Sequence, residues 1–521
     1  MGGSDQLSRG QYINRRHATL TEPHASTRGG EPFLIVTDPS TKDVIECVST
    51  ATPEQVQAAV DRSRRAQRAW ARQPVAARCQ RLLSWRHSIL NAGDLLALQL
   101  SRENGKPLHE AWLHELVPLC DTLSWLADNA PHMLEDTDVR LRWMKHQHSR
   151  LWSKPRGLCA VISPYNFPLL IPFADAAAAL IAGCSVIVKP SELTPSIARH
   201  AAQLAHESGL DEDLLQILIG GPDVARQLIA SDVDEVVFTG GSNHGRDVAL
   251  QCADRLVPCT LELGGRAPLM VLDDADVDDA ATAIVFGSLA NSGQSCIAVE
   301  RVFAPSRMCP RLLDGIVDRV KNLRQGNPLL AEVDLGAMTS SQHVDEVARQ
   351  VTEAVAGDAD LLWGGRRGEQ GGNFYLPTVL GNCRPDLAVI AEETFGPVIP
   401  IVPIDSLQSA LEVANQGRSS LAAYLFGRDE DALNRAARSV KGNHVMINDV
   451  LWSYLCPELP FGGQGQNGWG VVHGPEGLLS HTYRAHVGSR RLRLPAKLAL
   501  GFPYSKTPRT MVKHALRLLG R

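Results

Sequence analysis

Apolar residues recur at helical spacing in "ATPEQVQAAVDRSRRAQRAW" (51–70), the clearest helical pattern near the start of the chain. Thr52 and Gln55 fit a capping box, and Pro53 suits the first helical position. The pattern predicts a helix from Pro53, and it predicts a second helix over residues 77–101.

From Gly157 the pattern changes to short β-rich runs such as "GLCAVIS", "CSVIVKP", "LLQILIG" and "EVVFTGG". Helical stretches such as "PFADAAAALIAG" and "TPSIARHAAQLAHESG" separate them. Strands that alternate with helices predict a parallel sheet covered on both faces. A second alternation runs over 267–440, so we predict an α/β fold of two units with a boundary near "LELGG" (261–265).

Composition narrows the class of protein. At 521 residues the chain exceeds what one hydrophobic core usually supports, and a net charge of −5 gives no attraction to nucleic acid. Eleven cysteines without a C-x-x-C pair predict reduced thiols and a cytoplasmic location. Residues 1–30 are expected to be a flexible lead-in, and 487–521 form a basic tail with no acid.

Two loops that follow predicted strands carry polar side chains. In "SPYNFPLL" (163–170) the Asn166 amide can stabilise an oxyanion, or it can satisfy the local backbone. In "VIVKPSELTP" (186–195) Lys189 and Glu192 follow an apolar strand, where parallel sheets usually hold ligands, although such residues are often only solvated.

Three further motifs complete the candidate chemistry. "EVVFTGGSNHG" can bring a helix N-terminus to a phosphate, but it lacks G-x-G-x-x-G and fits an ordinary turn equally well. In "LELGG" Glu262 lies among apolar neighbours, which suits a general base, or it pairs with Arg266. Cys296 in "NSGQSCIAVER" is a candidate nucleophile, although most buried cysteines only pack.

With "EETFGPV" (392–398) and "PFGGQGQNGWG" (460–470), these motifs resemble the aldehyde dehydrogenase superfamily in order and spacing over residues 33–487. The resemblance implies two Rossmann-like parallel-sheet domains, one cofactor-binding and one catalytic, with a small oligomerisation β-hairpin. We place the NAD-binding domain at 31–139 and 156–262 and the catalytic domain at 263–474. The oligomerisation strands fall at 140–155 and 475–486.

The resemblance also implies a role for each matching residue. Cys296 attacks the aldehyde, Glu262 activates the thiol or the hydrolytic water, and Asn166 forms the oxyanion hole with the Cys296 N–H. A thiohemiacetal, hydride transfer to nicotinamide and thioester hydrolysis follow. The implied cofactor contacts are Lys189, Glu192, Gly240, Gly241, Gly245, Glu393 and Phe395. The implied substrate pocket contains Phe167, Ser295, Ile297, Trp452, Tyr454 and Phe461, and no metal is expected.

Departures from the family pattern bear on the cofactor. Gly241 stands where a serine is usual, Tyr165 stands where many members have tryptophan, and "QGQN" replaces a lysine-containing version after "PFGG". None removes a catalytic group. Because the Glu192 carboxylate would repel a 2′-phosphate, we expect NAD in preference to NADP.

Two segments bear on the substrate class. "FPLLIPFADAAAAL" after Asn166 lacks the cation of some semialdehyde enzymes, and "DVLWSYLCPELP" (449–460) is apolar. We therefore expect a medium or long aliphatic or aromatic aldehyde. The alternatives are a succinic semialdehyde-type dehydrogenase, a cysteine hydrolase without nucleotide, a CoA-acylating member and a non-catalytic nucleotide-binding protein.

A homodimer or homotetramer is expected from the family. For the basic tail, packing against a neighbouring subunit competes with an amphipathic helix at a membrane surface.

Overall fold

The computed structural model describes residues 26–28, 31–142, 144–417, 420–492, 513–514 and 517. The predicted lead-in (1–30) and the predicted basic tail (487–521) lie largely outside these residues, and for those parts both stay predictions. Their bounds are wrong where the structure describes them, because Ser26–Arg28 is a strand and the strand Thr482–Arg490 extends past residue 487. None of the described helices is long and apolar enough to cross a lipid bilayer.

The N-terminal part begins with an antiparallel sheet of the strands Ser26–Arg28, Glu31–Thr37 and Val44–Ser49. Thr52 then caps the first helix as predicted, because its hydroxyl accepts from the Gln55 N–H while the Gln55 side chain accepts from the Thr52 N–H. The helices of this part are Pro53–Trp70, Val75–Asn91, Gly93–Asn104, Leu108–Ala111, Trp112–Leu116 and Val117–Met133.

The single helix predicted over 77–101 is wrong. The backbone leaves the helical conformation at Ala92, and a new helix begins at Gly93. The ring of Trp112 packs directly on Gly93, where a Cβ atom would lie 2.2 Å from the ring. This close approach requires glycine, and the apolar spacing alone does not reveal it.

Six strands form the first central sheet, in the order Gly468–Trp469, Cys259–Leu263, Glu235–Gly240, Leu158–Ile162, Ser185–Lys189 and Leu215–Ile217. All neighbours pair in parallel except Gly468–Trp469, which joins the edge antiparallel. The connecting helices are Leu170–Ala182, Pro195–Glu207, Pro222–Ala230 and Ser242–Asp254. The strand order reverses between Leu158–Ile162 and Glu235–Gly240, which opens a crevice at their carboxyl ends.

Seven strands form the second central sheet, in the order Asp360–Trp363, Thr378–Gly381, Val398–Ile404, Val299–Pro305, Ala267–Val271, Ser420–Phe426 and Gly442–Ile447. Only the pairing of Asp360–Trp363 is antiparallel. The helices of this unit are Val277–Leu289, Cys309–Lys321, Ser341–Ala356, Ala388–Ala391, Leu407–Ala414 and Glu430–Ser439. Short helical turns lie at Ala290–Gly293, Trp452–Leu455 and Gly465–Asn467. The predicted α/β fold with parallel sheets is confirmed.

The chain passes from the first sheet to the second between Leu263 and Ala267. Gly468–Trp469 falls inside the predicted catalytic segment 263–474, yet it pairs with Leu261 and Glu262 in the first sheet. That segment therefore does not belong wholly to the second unit. One apolar cluster also reaches from Trp85 and Phe173 to Ile401 and Tyr424, so the two units share buried surface.

A third, antiparallel sheet contains Thr482–Arg490, Gln147–Pro155 and Thr137–Asp138. Thr482 pairs with Pro155 and Arg490 with Gln147. The strand predicted over 475–486 is wrong at its start, because Gly474–Ser480 is a helix with Pro475 in its first turn.

Candidate active site

The turn before Cys296 has a strained backbone. Asn291, Ser292 and Gly293 have positive φ values of 52°, 54° and 75°. The Glu110 carboxylate accepts from the Asn291 N–H at 3.0 Å, and the Ser292 hydroxyl donates to the Gly336 carbonyl at 3.0 Å. These contacts hold in place a conformation that non-glycine residues rarely adopt.

Asn166 lies directly against this turn. It follows the strand Leu158–Ile162, and its Nδ2 donates to the Gln294 carbonyl at 3.1 Å. Asn291 Nδ2 donates to the Asn166 carbonyl at 2.9 Å, so the two loops are bonded in both directions. The Asn166 side chain is buried, and an amide nitrogen has a second hydrogen available.

Glu262 lies near the end of the strand Cys259–Leu263, and its side chain is only 4% exposed. Neither carboxylate oxygen has a direct hydrogen-bond partner among the described residues. Burial raises the pKa of Glu262 well above its usual range, and the Asp175 carboxylate raises it further. The alternative pairing with Arg266 is not formed, because that guanidinium donates to the carbonyls of Ile390 and Ala391.

The Cys296 thiol lies within electrostatic range of Glu262. Burial raises the pKa of Cys296 to about 12, and the carboxylates of Glu262 and Glu393 add to the effect. The N–H groups of Cys296 and Ile297 face the sulfur and oppose this shift. A thiolate at Cys296 beside an ionised carboxylate would place two negative charges in a buried setting, which is costly. The thiolate therefore forms more readily when the thiol proton passes to a nearby acceptor.

Lys189 and Glu192 lie at the carboxyl end of the strand Ser185–Lys189. The Lys189 ammonium is buried, donates to the Gly220 carbonyl at 2.7 Å and lies 3.6 Å from Glu192 Oε2. The Glu192 side chain remains 24% exposed, so its carboxylate can still contact a ligand.

The three glycines of the predicted phosphate loop differ in their surroundings. A Cβ on Gly245 would lie 2.3 Å from the Leu263 side chain, so this glycine allows its helix to pack on the strand. A Cβ on Gly240 would lie 2.8 Å from the Phe238 ring. Gly241 caps the helix Ser242–Asp254 without a side-chain bond, and its nearest neighbour would be His244 at 3.8 Å. Of the three, only Gly241 has room for a Cβ atom.

The second unit contributes Glu393 and Phe395 to the surroundings of Glu262 and Cys296. A Cβ on Gly264 would lie 2.3 Å from a Glu393 carboxylate oxygen, so this carboxylate lies over the backbone beside Glu262. The Phe395 N–H donates to Glu300 at 2.8 Å, and its ring meets the Tyr165 ring edge-on at 6.2 Å. The motifs around Cys296, Asn166, Glu262 and Glu393 therefore converge.

The predicted pocket residues do not all share one environment. Ser295 and Ile297 are buried beside the thiol, and Phe167 is half-buried. The Tyr454 ring meets the Phe461 ring edge-on at 4.8 Å. Phe461 is buried and stacks on His444 at 4.2 Å, whereas Trp452 is 41% exposed. Their roles toward a substrate stay predictions.

A model of the aldehyde dehydrogenase family matches residues 26–487. The chain belongs to the aldehyde dehydrogenase family. It is 34% identical to a 4,4'-diapolycopene aldehyde oxidase of Methylomonas over 87% of this chain and 85% of the relative. It is also 31% identical to a probable NADP(+) succinate-semialdehyde dehydrogenase of Sinorhizobium fredii, over 89% and 94% of the two chains.

The fold matches a solved structure of the aldehyde dehydrogenase from Bacillus cereus in complex with NAD+. The TM-score is 0.85 at 28% identity, with 88% of this chain and 93% of that chain covered. The enzyme class expected from the motifs is confirmed.

Several polar residues around the site of this aldehyde dehydrogenase were not predicted from the sequence. Lys106 and Glu115 form a fully buried ion pair whose partners include the Asn166 carbonyl. Asp175 is buried, and burial raises its pKa to about 7. A signal was present: Glu115 lies inside the apolar run "WLHELVPLC", where an unpaired acid would be costly.

One cluster of potential metal ligands occurs among the described residues: Cys159, Glu235 and His481, all buried. Glu235 already accepts from His481 at 2.9 Å and pairs with Arg156 at 3.5 Å. Its carboxylate is thus balanced by the enzyme's own groups, and the expectation of no metal stays a prediction.

Proposed function

We propose that this aldehyde dehydrogenase oxidises a medium or long apolar aldehyde to the carboxylic acid with NAD. The observation that supports this most is the proximity of three groups: Asn166 bonds to the turn before Cys296, and the Glu262 carboxylate lies within electrostatic range of the thiol. A thiol, an amide donor and an unpaired carboxylate are the groups needed for covalent aldehyde oxidation.

Cys296 attacks the aldehyde carbon and forms a thiohemiacetal. The free hydrogen of Asn166 Nδ2 and the Cys296 N–H stabilise the oxyanion, since Asn166 is held beside the Cys296 turn by Gln294. A bound nicotinamide would supply the hydride acceptor for the conversion of the thiohemiacetal to a thioester, and Glu393 and Phe395 would hold it. Apolar surroundings exclude bulk water from this step.

Glu262 then accepts a proton from water as the water adds to the thioester. The C–S bond breaks, the acid leaves, and Cys296 recovers the thiolate. A carboxylate whose pKa is raised by burial is a stronger base than an exposed one, which matches this task near neutral pH.

The chain's own groups fit a dinucleotide. Gly241 places no side chain at the N-terminus of Ser242–Asp254, where free N–H groups favour phosphate. Lys189 and Glu192 present a cation and an acceptor for ribose hydroxyls, and Glu393 offers an acceptor near the thiol. A 2′-phosphate beside Glu192 would meet like charge, which supports NAD over NADP.

Apolar side chains remain exposed in segments near the thiol. Leu113 and Val117 on two consecutive helices are 45% and 51% exposed, and Phe286 and Trp452 are 49% and 41% exposed. Phe286 meets His114, while Gly287 packs on Val450, so the three segments adjoin. These side chains suit the distal part of an apolar aldehyde, which accords with the substrate in the Methylomonas relative's name.

Succinic semialdehyde is the second candidate, because the Sinorhizobium fredii relative is named for it. Its carboxylate needs a cation, but Lys106, which lies 4.3 Å from the Phe167 ring, is already paired with Glu115. Asp175 and Glu262 add further acid to this region. The electrostatics therefore favour the apolar substrate.

The test is an aldehyde panel from acetaldehyde to long-chain and aromatic aldehydes, plus succinic semialdehyde, with NAD and with NADP. NADH absorbance should rise with apolar chain length. Cys296→Ala should abolish it, whereas Cys309→Ala, at a buried cysteine that begins the helix Cys309–Lys321, should not. Succinic semialdehyde as the preferred substrate, equal kcat/KM with NADP, or acid formation without NADH would each contradict the proposal.

Assembly into a homo-oligomer belongs to the same proposal. Trp152 and Tyr483 of the third sheet are 37% and 49% exposed, as expected for a surface that a second copy covers. Light scattering should give at least a dimer, and it would decide between dimer and tetramer.

A further inference from the structure

Lys106 and Glu115 form a buried ion pair next to the proposed oxyanion donor. Both side chains are 0% exposed, and Lys106 Nζ lies 2.5 Å from Glu115 Oε1. The same ammonium donates to the Asn166 carbonyl at 2.9 Å and lies 4.3 Å from the Phe167 ring. One cation therefore contacts both a proposed catalytic residue and a proposed pocket residue.

The other partner holds the end of the same segment. Glu115 Oε2 accepts from the N–H groups of Leu169 and Leu170 at 2.8 and 2.9 Å, where the helix Leu170–Ala182 begins. The segment 166–170 is thus fixed at its start by Lys106 and at its end by Glu115. The peptide orientation at Asn166 sets the direction of its Cα–Cβ bond, and hence the aim of its amide.

Stability alone does not explain the pair. A buried ion pair carries a large desolvation cost, and apolar replacements of the same shape are often neutral or stabilising. Its geometry, by contrast, fixes the segment that carries Asn166 at two points. We propose that the Lys106–Glu115 pair is a positioning device that aims the Asn166 amide at the developing oxyanion. This inference rests on the proposed function.

The decisive variant is Lys106→Met combined with Glu115→Gln. It removes both charges of the pair, and the side-chain carbonyl oxygen of the introduced glutamine can still accept from Leu169 and Leu170. The Asn166 carbonyl, however, loses the ammonium. The rate constant of the pre-steady-state NADH burst should fall about 10- to 100-fold, which is no larger than the loss caused by removing one oxyanion donor.

Two readouts separate positioning from general damage. Alkylation of Cys296 by iodoacetamide forms no oxyanion, so its rate should stay within about twofold of the wild-type rate. The Kd of NAD, measured by calorimetry, should also be unchanged. Asp234→Asn is the control: this acid bonds to Arg64 and to the Leu158 N–H at the opposite end of the sheet, so the burst should not change.

A double-mutant cycle tests the route of action. If the pair acts through Asn166, adding its replacement to Asn166→Ala should slow the burst no further. A burst rate constant of the double variant within about threefold of the wild-type value would overturn the inference. So would a combined variant whose loss equals the product of the losses from the pair replacement and from Asn166→Ala. Should the double variant fail to fold, Lys106→Met alone replaces it under the same criteria, because it removes the contact to the Asn166 carbonyl and keeps the Glu115 contacts to Leu169 and Leu170. Absence of any NADH formation by the wild type would instead contradict the proposed function.

Discussion

The substitution Gly293→Ala tests how closely two loops must approach each other. One loop carries Gly293 and Cys296, and the other carries Phe395 and Gly396 and is proposed to hold the nicotinamide. The added Cβ would lie 2.2 Å from the Gly396 carbonyl oxygen and 2.4 Å from its carbon. Both are backbone atoms, so no side chain can move aside. Ordinary contact needs about 3.5 Å, so one loop must shift by more than about 1 Å.

The shift separates Cys296 from Phe395, because Gly293 precedes the thiol by three residues and Gly396 directly follows Phe395. A misplacement of about 1 Å can cost about a hundredfold in rate. We therefore expect the NADH burst to fall about a hundredfold in stopped flow. A φ of 75° adds a conformational cost of about 1–2 kcal/mol for alanine, which should lower the thermal midpoint.

Gly371→Ala is the matched control. Its φ is 77°, and no atom lies within 4 Å of the added Cβ, so it reproduces the conformational cost without the contact. It should lower the thermal midpoint and leave the burst unchanged. If the burst of Gly293→Ala stayed within about threefold of that of Gly371→Ala, the reasoning would be refuted.

Three further predictions concern the base, the pocket and the phosphate loop. Because the folded pKa of Glu262 is raised, the kcat of the wild type should increase as pH rises through that value, and Glu262→Gln should lose this limb of the profile. The protonated form of Glu262 contributes stability that is fully present below the pKa of the unfolded chain and is lost as pH rises through the folded pKa. Glu262→Gln should therefore have a higher thermal midpoint than the wild type at pH 8. An equal midpoint at that pH would contradict the raised pKa of Glu262. Trp452→Ala should raise KM for a long-chain aldehyde about tenfold and leave acetaldehyde unaffected, whereas Trp363→Ala, an exposed tryptophan on the edge strand, should change neither. Gly241→Ser should be tolerated, since its Cβ would make only an ordinary contact with His244 at 3.8 Å, and calorimetry should show a Kd for NAD lower by about fivefold; a weaker affinity would contradict the placement of phosphate at this turn.

The elements that the sequence predicts well are those set by local patterns. Thr52 and Gln55 define a helix start by their own hydrogen bonds, and the β-rich runs from Gly157 are long enough to mark buried strands. The break at Gly93 depends instead on Trp112, which comes later in the chain. Gly468–Trp469 joins the first sheet through a pairing with residues about two hundred positions earlier, which no local pattern specifies.

The candidate site divides in the same way. Cys296, Asn166 and Glu262 lie in motifs whose order along the chain is recognisable. Lys106 and Glu115 are hard to distinguish from the many other charged residues in the sequence, because only the folded structure shows that this ion pair is buried. A charged residue inside an apolar run is the usable signal, since such a group needs a partner.

The turn before Cys296 explains why these hidden residues matter. Asn291 and Ser292 adopt left-handed conformations that cost about 1 kcal/mol or more each outside glycine, so the turn needs support from elsewhere. Glu110, from the segment that also carries Lys106 and Glu115, accepts from the Asn291 N–H, and Asn291 in turn donates to the Asn166 carbonyl. The turn before Cys296 and the loop that carries Asn166 are therefore fixed by one segment of the first unit, residues 106–115. Changes in that segment should alter the geometry of the chemical step before they alter cofactor binding, because Lys189 and Glu192 lie on a different loop.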